Sequence, residues 1–382
     1  MKILMPFWSG DERSVERLLD RYLPQMVAIS GCVDEFHIVY FGEKIKRSEI
    51  RKHFVLHHVE LPRLAKVLPA IMFRVLIPPS LYQAVRNLKP DIIYALNGIY
   101  QESAWYFSMK MKIPYVIRLR GDFQEIEKAR YDQLGRRRNL RISPMVRDFL
   151  QIKTFKSANM VVPISEGLRR KAVKWGIPKE CLHNPIYNGV DITTFKPINS
   201  KREDGHDLIL GYGGRISHEK RIDKLIEILE AFPNVLLMLA GVWFIPKTEL
   251  PKNIKYIGHM RHQDMPNFYS MIDVSVLPSV TEGFPNMILE SYACGVPVLC
   301  SNEAFPFEDL KLFGKVSELD NFDCEIEKLI SNREMIRDLG EQARKYVSNI
   351  FSWKDFGRKM TDVFSTAITT YAGRRVGGYL LF

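Results

Sequence analysis

Strand-length apolar runs recur along this chain with helix-length segments between them, in two series divided by one polar stretch. The first series is Lys2–Pro6, Glu35–Phe41, Val55–Leu61, Asp91–Leu96, Tyr115–Leu119 and Asn159–Pro163; the second is Asp207–Arg215, Val235–Gly241, Ile254–Gly258, Val274–Leu277 and Gly295–Cys300. Continuous apolar runs alternating with helical periods describe parallel strands buried on both faces by helices. The alternation therefore predicts an α/β chain with two Rossmann-like domains, and 382 residues suffice for two cores. Helices are expected over 12–29, 101–112, 145–157, 262–271, 325–329 and 333–347. The Asn184–His206 stretch, with its Asn188-Gly189 turn signal and polar run, is the expected join. A last amphipathic helix from Trp353 to about Thr370 has no strand left to follow, so it is expected to cross back over the first domain. The expected domains are thus 1–187 with 353–382, and 188–352.

Charge is unevenly divided between these halves. Residues 1–189 hold 32 Lys and Arg against 18 Asp and Glu, a balance of +14; residues 190–382 hold 23 against 26, a balance of −3. A basic half suits an anionic substrate, a membrane surface or nucleic acid, but no nucleic-acid-binding signature accompanies it. Leu61–Pro79 mixes apolar and basic residues, and Arg63, Lys66, Arg74 and four prolines leave no uninterrupted apolar run long enough to span a bilayer. Its prolines are expected to break the segment ahead of a helix ending near Leu88. It reads either as an interfacial segment or as a packed helix with snorkelling cations. The Gly135–Arg138 loop is likewise either solvated or in contact with an anionic acceptor or lipid. An anionic membrane surface is accordingly an expected partner, and nucleic acid is not. Five scattered cysteines without a C-x-x-C pair, and histidines without H-E-x-x-H, favour a reducing compartment and no metal. Met1–Pro6 is too short for a signal peptide, so the expected location is cytoplasmic, peripheral on the inner face of the membrane.

Three places carry groups suited to an anionic, hydroxyl-rich ligand. Gly213-Gly214-Arg215 ends a strand and Lys220 follows: the glycines let backbone approach a ligand and the two cations suit a diphosphate. In Thr281–Glu290, Gly283 permits a turn, Pro285 suits a first helical position, and the helix start offers N–H groups to a phosphate. Glu282 can accept bonds from sugar hydroxyls, and Glu290, eight residues on, can reach a ribose. Arg120 and Asp122 end a buried strand, where open sheets place ligand groups. Ser165 suits a helix cap as well as a ligand contact. Each of these has a plain alternative as surface charge or cap.

Gly213-Gly-Arg215 with Glu219-Lys220, Asn188-Gly-Val-Asp191 followed by Phe195 and Pro197, Glu282-Gly-Phe-Pro-Asn286, the pair Glu282 and Glu290, and Ala293-Cys-Gly-Val-Pro297 stand in order over most of residues 160–350. Together they resemble the retaining glycosyltransferases of family four (glycosyl transferases group 1). That resemblance implies the GT-B fold, two Rossmann-like domains facing a central cleft. It implies a nucleotide-diphosphate-sugar donor on the second domain and a glycan, lipid-linked or small-molecule acceptor on the first. By the same resemblance Arg215 and Lys220 would bind the diphosphate, Glu282 the sugar, Glu290 the ribose, and the backbone of Gly283, Phe284, Pro285 and Asn286 would lie along the donor. The chain departs from the family where Leu119-Arg-Gly-Asp122 replaces a frequent histidine, leaving Arg120 or Asp122 to be considered there. It departs again where Pro6-Phe-Trp-Ser-Gly10 replaces a glycine pair. The absence of Asp-x-Asp argues for metal-independent binding of the diphosphate. The expected activity is hexose transfer with retention. A nucleotide-sugar epimerase of the same architecture and a non-catalytic nucleotide-sugar or glycan binder are the alternatives.

Overall fold

The computed structural model describes residues 1–7, 15–41, 44–45, 48–60, 70–98, 100–122, 142–199, 205–244, 249–280, 282–304 and 313–376. The chain divides into two units, one of Met1–Gly121, Arg137–Tyr187 and Trp353–Phe382, the other of Asp122–Arg136 and Asn188–Ser352.

The first unit alternates β1 (Lys2–Phe7), α1 (Val15–Ser30), β2 (Glu35–Phe41), α2 (Ser48–His53), β3 (Val55–Val59), α3 (Ala70–Val85), β4 (Ile92–Leu96), α4 (Tyr100–Met111), β5 (Tyr115–Leu119), α5 (Ile142–Ser157), β6 (Met160–Pro163) and α6 (Glu166–Lys174). Its strands pair in the order β3-β2-β1-β4-β5-β6, and every pair is parallel. β4 and β5 are buried along their whole length, as their uninterrupted apolar runs require. Ser165 is the N-cap of α6, accepting from the Leu168 N–H. Pro78 and Pro79 do not precede a helix as expected; they lie inside α3. Each proline forgoes a helical hydrogen bond. The helix nevertheless continues, because Leu81 and Val85 beyond them are fully buried and Tyr82 packs on Tyr106 and Phe107 of α4.

The second unit contains β7 (Leu208–Gly213), α7 (Ile222–Leu229), β8 (Val235–Ala240), β9 (Ile254–Gly258), α8 (Met265–Tyr269), β10 (Val274–Leu277), α9 (Asn286–Ala293), β11 (Val298–Ser301), β12 (Gly314–Ser317), α10 (Phe322–Ser331) and α11 (Arg333–Ile350). The sheet order is β12-β11-β10-β7-β8-β9. Counting strands from the start of each unit, both sheets have the order 3-2-1-4-5-6 of a doubly wound fold. The helix expected over 262–271 is instead a 3-10 turn, His262–Asp264, followed by the five residues of α8, because Pro266 can begin a helix but cannot continue one.

After the second unit the chain re-enters the first as α12 (Trp353–Val376). It packs on α1 so closely that a Cβ at Gly357 would overlap the Ala28 carbonyl oxygen. Phe356, Met360, Val363 and Phe364 are buried there. Arg118, in the middle of β5, is fully buried beneath this helix. Its Nη2 donates to the Ile186 carbonyl at 2.6 Å, its guanidinium lies 4.9 Å from the Phe356 ring centre, and Nη1 is 4.0 Å from Met360 Sδ. Burial brings its pKa down to about 10, opposed by the neighbouring Tyr94 phenol. The guanidinium therefore stays charged at neutral pH, held by a carbonyl and an aromatic face.

Candidate functional site

In a doubly wound sheet the ligand crevice lies beyond the carboxyl ends of the two strands where the order reverses. In the second unit these are β7 and β10, and the segments that follow them are Gly213–Lys220 and Ser279–Glu282.

Gly214 donates its N–H to the Ala240 carbonyl at 2.8 Å, which holds the glycine turn against the end of β8. A Cβ on Gly213 would crowd Met265, and one on Gly214 would crowd the Tyr212 hydroxyl. That hydroxyl donates to the Arg215 carbonyl at 2.7 Å. Burial, followed by the charge of Glu282, pushes the Tyr212 phenol far up. Arg215 projects from this turn, half exposed, and reaches Glu219 at 3.4 Å. Burial opposes the Glu219 charge, yet nearby hydrogen bonds and the Arg215 and Lys220 cations hold its carboxyl below the usual range. Lys220 ends a 3-10 turn, and Arg221 after it takes a left-handed conformation, φ +50°, unusual for a side chain without a local polar cap. Backbone held in such a region is characteristic of sites that aim a neighbouring group.

Lys220 Nζ forms an ion pair with Glu282 Oε1, and the two side chains are 11% and 13% exposed. Ser279 Oγ donates to the same Glu282 oxygen at 2.9 Å, and the Val280 N–H donates to the Glu219 carbonyl at 3.0 Å. The two loops are thus stitched together by backbone and side chain, and a cation and a carboxylate stand together at the switch point. Pro285 is not the first helical residue expected from the sequence: with ψ 101° it is extended and serves as the N-cap of α9. Phe284 and Pro285 are buried and Gly283 half-buried, whereas Asn286 is exposed and accepts a bond from Asn188 Nδ2 at 2.9 Å.

Glu290, one turn before the end of α9, has both carboxylate oxygens engaged. His262 Nε2 lies 2.9 Å from Oε1, and the Tyr269 hydroxyl donates to Oε2 at 3.2 Å. The bond to Glu290 raises the pKa of His262 against the opposing effect of burial. Below that raised value the contact is an ion pair; above it only a hydrogen bond remains. The His262 ring also leans on Phe195 at 5.0 Å, and Asp191 turns the chain into Phe195 by capping Thr193 and Thr194. The Asn188–Asp191 phrase and Phe195 therefore meet the Glu282 loop and Glu290 in one place.

Sequence reasoning missed His262 and Tyr269 as partners of Glu290, because they stand 28 and 21 residues before it. Arg120 lies in the first unit, its guanidinium 4.0 Å from the Tyr22 ring centre and its N–H donating to Asn97 Oδ1 at 2.8 Å. Asn97 also donates to the Gly121 carbonyl at 2.9 Å, so the end of β5 is fixed beside the switch-point strand β4. Asp122, two residues on, is grouped with the second unit. Neither residue belongs to the Lys220–Glu282 cluster. Among the described residues no three His, Cys, Asp or Glu side chains converge as a metal site.

Residues 194–346 match the model of the family described as glycosyl transferases group 1. The chain is 27% identical over 246 residues to the capsular polysaccharide biosynthesis glycosyltransferase CapM of Staphylococcus aureus, an alignment covering 57% of this chain and 64% of that protein. It is 24% identical to the GDP-mannose-dependent monoacylated alpha-(1-6)-phosphatidylinositol monomannoside mannosyltransferase of Corynebacterium glutamicum, covering 52% of this chain and 60% of that one. It thus spans somewhat under two thirds of these relatives. Among solved structures, sucrose-phosphate synthase from Thermosynechococcus elongatus superposes with a TM-score of 0.76 at 17% identity, over 97% of this chain and all of that one. HepE of Anabaena, solved with UDP and glucose, superposes with 0.71 at 18% identity, over 96% of this chain and 99% of that one. These likenesses place the chain in the GT-B fold. Through residues 194–346 the chain is similar to the glycosyl transferases group 1 family.

Proposed function

We propose that this protein transfers a hexose from a nucleotide-diphosphate-sugar to a glycan, lipid-linked or small-molecule acceptor, with retention at the anomeric carbon. The observation that carries the reading is the joining of Lys220 and Glu282 at the switch point, with Arg215 beside them. Arg215 and Lys220 would face the diphosphate and offset the charge that builds on it as the sugar departs. Lysine has three donors, so Lys220 can hold a phosphate oxygen and Glu282 together. Glu282, fixed by Ser279, would accept from sugar hydroxyls, and Glu290 would meet the ribose once His262 or Tyr269 gives way. Gly213, Gly214 and the Gly283–Asn286 backbone would lie along the donor, and Arg120 or Asp122 would serve the acceptor. Two fixed cations make a metal unnecessary for holding the diphosphate. HepE's structure with UDP and glucose supports a donor of this class.

The test is calorimetric titration with a panel of nucleoside diphosphates in metal-free buffer. One of them should bind saturably, and Lys220→Ala should weaken it by roughly 1.5–3 kcal/mol, the range for a hydrogen bond to a charged group. Unchanged affinity in that variant removes Lys220 from the site.

We further propose that the first unit, as the acceptor side, rests on an anionic membrane surface at the cytoplasmic face. Two parts of the sequence argument, residues 61–69 and Gly135–Arg138, lie outside the described residues. The support comes from the +14 balance of residues 1–189 and from the α4–α5 surface. There Lys153 lies 5.2 Å from the Trp105 ring, Lys110 lies 5.7 Å from Tyr106, and Phe149 is 64% exposed. No described helix is long and apolar enough to cross a membrane. Each basic residue near an anionic surface contributes about 1 kcal/mol, screened by salt. Vesicle sedimentation should show binding to anionic but not neutral lipid, released at high salt; recovery in the supernatant under all conditions would refute it.

A further inference from the structure

We propose that the first unit holds a second oxyanion site, for a phosphate monoester or free phosphate, in a cavity of about 290 Å³ at the outer edge of its sheet. It is separate from the donor site: all its residues lie in Met1–Gly121, outside the part matched to the family.

The cavity follows from strand register. Tyr40 of β2 stands beside His58 of the edge strand β3, and Ile38 beside Leu56. Side chains two apart on a strand share a face, so Leu56, His58 and Tyr40 line one side near the strands' carboxyl ends. The Tyr40 and His58 rings meet edge to face at 5.3 Å. Lys44 and Ile45, just past β2, and Arg51 of α2 close the opposite side, above Phe54.

Its donors are set in advance. The Ile45 N–H donates to the Tyr40 hydroxyl at 3.1 Å, which leaves that hydroxyl its own hydrogen to give. The Ile45 carbonyl accepts from both Arg51 Nε, at 3.2 Å, and Nη2, at 2.9 Å. A guanidinium has five N–H groups, so this clamp fixes its plane and still leaves three N–H groups for a ligand. Lys44, exposed at the rim, adds an ammonium, and the His58 ring stands beside Tyr40.

No acidic side chain lines the cavity among the described residues. Ile45, Phe54 and Tyr40 are buried, giving the cations an apolar floor against which charge interactions strengthen. Arg51 is itself exposed, and its bonds to the Ile45 carbonyl set the direction of its guanidinium; a guanidinium so held beside a lysine, a histidine and a tyrosine hydroxyl suits the several oxygens of a phosphate. The volume is at the lower end for ligand pockets, enough for a phosphate with a small organic group and too small for a nucleotide-sugar.

The test is calorimetry on the full chain carrying Lys220→Ala, which weakens phosphate binding by the second unit. The probes are inorganic phosphate, glucose 6-phosphate and glucose in chloride buffer. Saturable binding of either phosphate probe, none of glucose, and at least a tenfold loss in Lys44→Gln/His58→Gln support the site. Arg51→Lys, which keeps the charge but loses the clamp, should weaken binding too; it is a second reading should the double variant fold poorly. Equal affinity for the two probes assigns the site to free phosphate, and a tenfold preference for the ester assigns it to a phosphorylated sugar. Binding that does not saturate, or survives both variants unchanged, overturns the proposal. On a chain with Lys220 intact, unaltered nucleoside-diphosphate affinity in Lys44→Gln/His58→Gln shows that the donor reading stands or falls on its own.

Discussion

Glu282→Gln is expected to lower sugar transfer by roughly 100–1000-fold, the range seen when one preorganised electrostatic contact to a transition state is removed. The substitution keeps shape, and the new amide oxygen can still accept from Ser279 Oγ. What it removes is the negative charge beside Lys220 and the acceptor for sugar hydroxyls. Lys220 is then left with its full charge for the diphosphate, so nucleoside-diphosphate affinity should hold or tighten while kcat falls. That split separates a catalytic or sugar-binding role from a merely structural one, in which both would deteriorate together. Because the two side chains are only 11% and 13% exposed, rates should be taken well below the variant's unfolding temperature. Steady-state assay at saturating donor decides: a kcat within twofold of the parent would exclude Glu282 from the chemistry.

Gly241→Ala should cost about 3 kcal/mol or more of stability and disable donor binding as well. Gly241 has φ +148°, a conformation that side chains rarely adopt, and a Cβ there would lie far inside van der Waals contact distance of the Gly214 carbonyl oxygen. Neither atom can be relieved by a rotamer change, since the obstacle is backbone; such mutations lie in the tail of the destabilising range. Relief would displace the Gly213-Gly214 turn and with it Arg215. Gly258→Ala is the control: φ is +93° but nothing lies within 4 Å of the added methyl. It should therefore show only a backbone cost, about 1–2 kcal/mol. Urea unfolding of both variants checks the contrast, and equal midpoints would show that the Gly214 contact is unimportant.

The strands were readable wherever burial on both faces left an unbroken apolar run. β2, β5, β9 and β10 match their expected bounds, as does the restart of the alternation at β7. β12 escaped notice because Gly314-Lys-Val-Ser carries one strong apolar residue, and an edge strand half-buried on one side needs no more. Pro285 was placed one position too far into the helix, since proline's fixed φ suits a cap as well as a first turn. That Lys220 and Glu282 meet follows from the topology, because loops after β7 and β10 converge when the sheet order is 3-2-1-4. Contacts set by packing between distant elements were not. Glu290's engagement by His262 and Tyr269 depends on where a short helix lands, and Arg118 is covered by side chains 238 and 242 residues later, Phe356 and Met360. The clamp on Arg51 joins it to a carbonyl six positions earlier in the chain.

That late cover over Arg118 bears on the order in which the molecule is made. The first unit is discontinuous: when a ribosome has finished Tyr187, that unit still lacks α12. The α1 surface that receives Gly357 and the cavity that receives Phe356, Met360 and Phe364 are then open to water, and Arg118 stands at their centre with its charge hydrated. The whole of Asn188–Ser352 emerges next, on the order of ten to thirty seconds at about 5–20 residues per second. That stretch is the bulk of the second unit and can fold in that time, while its predecessor waits. A guanidinium in the open groove keeps a large apolar face from being wholly apolar during the wait, when exposed surfaces of this kind aggregate. Once α12 arrives, the same charge turns to the Ile186 carbonyl and the Phe356 ring, so a later segment seals an earlier unit.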